Sequence, residues 1–134
     1  MTQHATGSLE VKLAPLDPAF KSDDKSIGRM SIDKQFHGEL EAASKGEMLT
    51  AGTSIKGSAG YVALERVSGS LNGRTGTFIL QHSATMNRGT PQLRIFVVPD
   101  SGTGQLNGLS GSMNILIQEG KHSYEFAYTF PDTP

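Results

Sequence analysis

The feature that most constrains this fold is an alternation of apolar and polar residues that recurs along almost the whole chain. Glycine, asparagine, aspartate and proline interrupt it, which is typical of strands joined by turns rather than of helices. The pattern predicts about eight strands, among them Ser8–Leu13, Ile27–His37 and a weaker one around Glu39–Ala51. In the second of these, Lys34 stands between two apolar residues, so it faces the core or reaches the end of the sheet.

One turn sets the register of the second half of the chain. Asn72-Gly73 lies between two alternating runs, and Asn-Gly favours a type I′ hairpin because both central residues need positive φ. Counting outward from this turn places four residue pairs opposite each other on one face. These pairs are Val67 with Phe78, Glu65 with Leu80, Ala63 with His82, and Tyr61 with Ala84.

A short internal repeat extends the argument. The segment Gly69–Phe78 is echoed by Gly104–Met113, which predicts a second hairpin at Asn107-Gly108 and puts Met113 in the place of Phe78. A third turn is expected at Gly120-Lys121. It would set Ile117 against Tyr124, Ile115 against Phe126, and Met113 against Tyr128.

Strands of this kind must avoid exposed edges, and closure into a barrel removes them. We therefore predict an all-β fold, a closed antiparallel eight-stranded up-and-down (meander) barrel, formed by residues 1–134 as a single β-barrel domain. The 16 glycines and a hydrophobic content of 36% fit a chain with many turns. A two-sheet sandwich is the alternative, because it would bury the same residues.

Composition argues against several classes of function. A formal net charge of −1 lacks the basic surface that nucleic acid binding requires. No signal peptide or membrane-spanning run is visible, so we expect no membrane partner and a cytoplasmic location. The chain has no cysteine, and its histidines lie on separate predicted elements, so we predict neither a metal site nor a cofactor.

The predicted inner face carries two ionisable residues, Glu65 and His82. They are diagonal neighbours on paired strands, near enough to meet, and burying either alone would be costly. The pair either binds a ligand or moves a proton, or it braces the core as a buried ion pair. If the inner face binds a ligand, the candidate binding residues are Tyr61, Glu65, Phe78, His82, Tyr124 and Tyr128. No catalytic residue is assigned.

Whether Arg94 faces inward depends on a β-bulge. Without one, the Asn107-Gly108 hairpin would turn Arg94 inward, whereas a bulge near Pro99–Gly102 would turn the apolar set Leu93, Ile95 and Val97 inward. We favour the bulge, because it buries the more apolar set. On the opposite face, the outward residues Val62, Leu64 and Ile79 form a small apolar patch, which is either scattered surface or an oligomer contact.

Three segments also resemble a known family: Gly60–Gly69, Gly73–Ser83 and Val98–Gly108. They are similar to an uncharacterised bacterial domain family of unknown function with an allene oxide cyclase-like barrel fold. The resemblance covers nearly the whole chain and is strongest over Gly60–Gly111. It implies a closed eight-stranded meander barrel and points to a homo-oligomer, but it implies no reaction, because the cyclase site does not map onto these residues.

Three hypotheses for function follow. The first is a barrel that binds a small, largely apolar ligand in its interior, with Glu65 and His82 as the polar anchor. The second is a structural or oligomeric interaction module. The third is an isomerase- or lyase-type enzyme that uses Glu65 and His82 for proton transfer. Whether the protein is an enzyme, and whether the interior is open or filled, stays open at this point.

Overall fold

The computed structural model describes residues 2–17 and 26–131. These residues form eight antiparallel strands that pair in chain order, and the last strand pairs with the first to close a barrel. The predicted meander barrel is confirmed, and the sandwich is excluded. The strands are β1 (Gln3–Leu16), β2 (Ile27–Gly38), β3 (Leu40–Gly52), β4 (Ala59–Leu71), β5 (Arg74–Asn87), β6 (Thr90–Val97), β7 (Ser110–Gln118) and β8 (Lys121–Thr129).

The β4–β5 hairpin has the predicted turn and register. Asn72 and Gly73 both have positive φ, at 47° and 87°, as a type I′ turn requires. All four predicted pairs are opposite each other in the sheet, including Glu65 with Leu80 and Ala63 with His82. A strictly local preference of two residues therefore orients both long strands.

The β7–β8 turn was predicted one residue too late along the chain. Glu119 and Gly120, rather than Gly120 and Lys121, occupy its two central positions, with φ of 52° and 77°. Glycine thus takes the second turn position, as it does in the β4–β5 hairpin. The pairing shifts by two residues, which leaves every side chain on its predicted face. The observed pairs are Ile117 with His122, Ile115 with Tyr124, and Met113 with Phe126.

The second copy of the repeat does not form the predicted hairpin. Asn107 has a φ of −58°, which excludes a type I′ turn there. A loop with a short 3-10 helix, Gly104–Leu106, occupies the region instead. The physical reason is burial, because this loop places Leu106 and Leu109 in the core, where both are almost completely inaccessible. Tertiary packing outweighs the turn preference of the dipeptide.

The same loop decides the orientation of β6. Ile95 and Val97 face inward and are buried, and Arg94 is exposed on the outer surface. The inward set favoured from the sequence is confirmed. Asp100 adopts positive φ within the segment where a bulge was expected.

The barrel interior is filled at one end. We call this the packed half; it lies beneath the β2–β3 and β4–β5 turns and the β6–β7 loop. Its buried aromatic and aliphatic side chains pack against one another in one core cluster. They include Phe36, Leu40, Leu71, Phe78, Leu106, Leu109, Tyr124, Phe126 and Tyr128.

Candidate functional site

The packed half holds three of the six predicted ligand-binding residues. The Tyr124 hydroxyl accepts a hydrogen bond from the Leu40 amide (2.9 Å) and lies 3.0 Å from the His37 carbonyl oxygen, so it ties β8 to the β2–β3 turn. The Tyr128 hydroxyl accepts from Asn72 Nδ2 at 2.6 Å. Phe78 stacks on a neighbouring phenylalanine of β8, with ring centroids 5.9 Å apart. These three residues hold the fold together and do not line the cavity described below.

The other three predicted residues, Tyr61, Glu65 and His82, meet in the opposite half. Glu65 accepts hydrogen bonds through both carboxylate oxygens. Its Oε2 contacts Lys34 Nζ at 2.7 Å and His82 Nε2 in a very short contact, and its Oε1 accepts from Ser44 Oγ at 2.6 Å. We call Lys34, Ser44, Glu65 and His82 the Glu65 cluster. Its members come from the four consecutive strands β2, β3, β4 and β5.

Backbone geometry gives Glu65 its position. The residue opposite Glu65 on β3 is Gly46, which has no side chain. The carboxylate can therefore lean across β3 toward Ser44, and Ser44 lies directly opposite Lys34 on β2. This register brings one carboxylate within reach of donors on both sides of its own strand.

The cluster is buried and charged. Glu65 is 1% exposed, His82 5% and Lys34 9%. Burial by itself raises the pKa of Glu65, but the hydrogen bond from His82 and the charge of Lys34 outweigh it and lower the pKa to about 2. Glu65 is therefore an ionised carboxylate at neutral pH, and Nε2 of His82 carries the proton that the two share.

Two members of this cluster were less evident from the sequence. Lys34 was identified as an inward candidate because it interrupts an apolar alternation, but its partner was not. Ser44 was missed altogether. Its signal was its place on the inward face of β3 beside Ala42 and Gly46, which only the register with β2 and β4 makes informative.

Above the Glu65 cluster the barrel contains a cavity of about 190 Å³. It opens toward the end that carries the β7–β8 turn, and we call it the open-end cavity. Ile117 faces inward there and is still 64% exposed, because it lies at the rim. Nine apolar and four polar residues line it: Leu9, Val11, Leu13, Ile32, Lys34, Met48, Tyr61, His82, Leu93, Ile95, Ile115, Ile117 and His122.

Tyr61 separates this cavity from a second space. A cleft of about 360 Å³ lies between the ends of β3, β4, β5 and β6, and it shares Tyr61 and Leu93 with the open-end cavity. The Tyr61 and His82 rings lie 6.5 Å apart at a tilt of 38°. Burial and the nearby Glu65 charge raise the pKa of Tyr61, so its hydroxyl stays protonated at neutral pH.

Polar groups outside the barrel form a separate arrangement. His37 on the outer surface lies between Glu10 (2.7 Å) and Glu41 (3.2 Å).

Among the described residues, no three histidine, aspartate or glutamate side chains converge as a metal site would require. No helix in residues 2–17 and 26–131 has the length and apolar character needed to cross a membrane.

Comparison with known proteins identifies the family. A family model described as "Protein of unknown function (DUF3224)" matches residues 5–128. The crystal structure of a protein of unknown function from that family, from Shewanella oneidensis MR-1, is 48% identical and superimposes with a TM-score of 0.92. The match covers 99% of this chain and 100% of that one.

No protein with a curated description matches this chain. The likeness to allene oxide cyclases is not tested by these matches and stays a prediction. The family suspected from the sequence, an uncharacterised bacterial domain with an eight-stranded barrel, is confirmed. The chain belongs to the DUF3224 family of proteins of unknown function.

Proposed function

We propose that the open half of the barrel binds a small, largely apolar molecule. The observation that carries the proposal is the open-end cavity, which has apolar walls, a polar floor and an open rim. Ligand cavities have this character, because apolar area supplies the affinity and a few convergent polar groups orient the ligand. Tyr61, Glu65 and His82 are the predicted residues that support it.

The size of the cavity bounds the ligand. A volume of about 190 Å³ exceeds the roughly 150 Å³ of an engineered cavity that accommodates benzene. It is below the range of about 300–1,000 Å³ that drug-sized ligands occupy. We therefore expect one ring or a short branched chain, with any longer substituent passing Tyr61 into the adjoining cleft.

A purely structural role for the Glu65 cluster is the main alternative. A satisfied buried ion pair can set register without binding anything. Ligand binding is favoured by the position of Lys34 and His82, which keep part of their surface on the cavity wall while their other atoms are held by Glu65.

The direct test is native mass spectrometry of the protein purified from its own host. We expect a retained small molecule that is lost in Ile115→Trp, because Ile115 lines the cavity and the larger ring would fill it. Leu116→Trp is the matched control, since the adjacent side chain points outward and is exposed. Equal retention by both variants, with circular dichroism confirming that both fold, would contradict the proposal.

One observation favours a second candidate, proton-transfer catalysis. Nε2 of His82 is held by Glu65, and this carboxylate–imidazole arrangement orients a histidine for general acid or base work with its other nitrogen. Glu65 itself is a poor candidate base, because its pKa of about 2 makes it a weak proton acceptor.

The second candidate is tested by steady-state assay against a panel of hydrophobic epoxides and carbonyl compounds. His82→Ala should remove activity, and Glu65→Gln should reduce it by misorienting the ring. Inactive wild-type protein across the panel would argue for binding alone. The homo-oligomer and the cytoplasmic location expected from the sequence stay predictions.

A further inference from the structure

The polar groups on the wall of the open-end cavity are basic or neutral. Lys34, His82 and His122 are basic, and Tyr61 is a neutral hydroxyl. Among the described residues that line the open-end cavity, none is acidic. The carboxylate of Glu65 lies beneath the wall, where Lys34, Ser44 and His82 occupy its oxygens.

Two of these groups keep unused hydrogen-bonding capacity. The Lys34 ammonium has three N–H donors and gives one to Glu65. His82 uses Nε2 for Glu65, and its Nδ1 has no hydrogen-bond partner among the residues described. Among the described residues, every buried side-chain nitrogen or oxygen has a hydrogen-bond partner. Because Nδ1 of His82 has no partner, it must be accessible, and His82 faces the open-end cavity.

We propose that the ligand is a small apolar carboxylic acid, bound as its carboxylate between Lys34 Nζ and His82 Nδ1. This inference rests on the proposed function of the cavity and adds the chemistry of the head group. The two residues contact the same oxygen of Glu65 and both line the cavity, so one bound anion can contact both of them. The apolar wall takes the ring or chain of the acid.

Charge balance adds a second property. The charges of Lys34 and Glu65 cancel, so an entering carboxylate meets a neutral floor unless His82 is protonated. Binding of the acid anion therefore favours the imidazolium form, in which Nδ1 donates to the ligand and Nε2 still donates to Glu65. The proton comes from the solvent, and acid binding is coupled to its uptake.

The groups that face His82 set the expected pH dependence. They are Lys34 on β2, Tyr61 and Glu65 on β4, and His122 across the cavity on β8. Glu65 stays ionised and Tyr61 stays protonated through the neutral range. Of the two imidazoles that line the cavity, His82 is the one hydrogen-bonded to Glu65.

The test compares three molecules of nearly equal size: phenylacetate, phenylacetamide and phenethylamine. Isothermal titration calorimetry of the wild-type protein should show phenylacetate binding at least about tenfold more tightly than the other two. Equal or tighter binding of the amide or the amine would overturn this inference and leave the proposed function standing. Failure of all three to bind would overturn both.

Two lysine variants then test whether Lys34 binds the carboxylate. Lys34→Met should weaken phenylacetate at least about tenfold and leave phenylacetamide within about threefold. Lys45→Met, which removes an exposed lysine on the outer face of β3, is the matched control. Equal losses for acid and amide in Lys34→Met would contradict a charge-specific role.

The pH dependence of binding provides a second test, which begins with the wild-type protein. Phenylacetate affinity of the wild type should fall as the pH rises, because the anion binds together with a proton, while phenylacetamide affinity stays flat. The fall should disappear in His82→Gln and persist in His122→Gln. A pH-independent acid affinity in the wild type would overturn the coupling to His82.

Discussion

Gly46 of β3 lies directly opposite Glu65 of β4, so close that a Cβ on residue 46 would stand 2.6 Å from the Glu65 Cα. The same Cβ would lie 2.0 Å from the Leu64 carbonyl oxygen. Only glycine permits this approach of the two backbones. The buried carboxylate thus depends on a residue that carries no functional group.

Gly46→Ala tests that dependence. We expect the free energy of unfolding to fall by roughly 1–3 kcal/mol, because the added methyl group must push the strands apart. Urea denaturation measures the change. Gly52→Ala is the control, since a Cβ there meets no atom within 4 Å, and it should shift stability by less than about 0.5 kcal/mol. Equal effects of the two variants would contradict the close-approach argument.

Removing the Glu65 charge should destabilise the barrel strongly. Glu65→Gln leaves Lys34 buried without a counter-charge, which costs roughly 3–5 kcal/mol for a broken buried pair. Glu125→Gln, an exposed glutamate on β8, should change stability by less than about 0.5 kcal/mol. Chemical denaturation at neutral pH compares them, and a loss below about 1 kcal/mol in Glu65→Gln would mean that the cluster is not a tight ion pair.

Low pH should reduce the stability of the protein through protonation of Glu65. The pKa of Glu65 is lowered from 4.5 to about 2, so the folded state favours the ionised form. Its contribution is present above pH 4.5 and is lost as the pH falls toward 2. Urea midpoints measured across this range should decline less steeply in Glu65→Gln than in the wild type. Parallel declines would show that other carboxylates govern acid unfolding.

The ion pairs of His37 on the outer surface should have the opposite pH dependence, and stabilise the protein at lower rather than higher pH. The hydrogen bond to Glu10 raises the pKa of His37; loss of hydration opposes the rise, and Glu41 adds to it. Stability from these pairs is therefore present below pH 6.5 and lost as the pH rises through the raised value. Titration of the ring followed by NMR should give a pKa above 6.5 that moves down in Glu10→Gln. No movement would argue against the pairing.

The outward apolar patch on β4 offers a test of self-association. Val62 and Leu64 lie on the outer face of β4 and are 52% and 54% exposed. If the predicted homo-oligomer forms through them, Leu64→Lys should convert it to monomer in light scattering. Ser68→Lys, also outward and exposed on β4, should leave the assembly intact. A monomeric wild type would contradict the prediction.

Much of this molecule follows from the sequence alone. The alternation of apolar and polar residues determined the strands and their inward faces, since a strand presents successive side chains to opposite sides. Asn72-Gly73 determined the β4–β5 register, and with it the placing of Tyr61, Glu65 and His82 on one face. Both signals are local. The alternation follows from the two-residue repeat of a strand, and the turn follows from the dihedral preferences of two adjacent residues.

Tertiary structure decided the rest. The Asn107-Gly108 dipeptide has the same local preference as Asn72-Gly73, yet burial of Leu106 and Leu109 replaced its hairpin with a loop. Ser44 and Lys34 join Glu65 only because two strand registers, β2 with β3 and β3 with β4, align across the sheet. The division into a packed half and an open half also depends on barrel closure, because a cavity is the space left when all eight strands have packed their side chains.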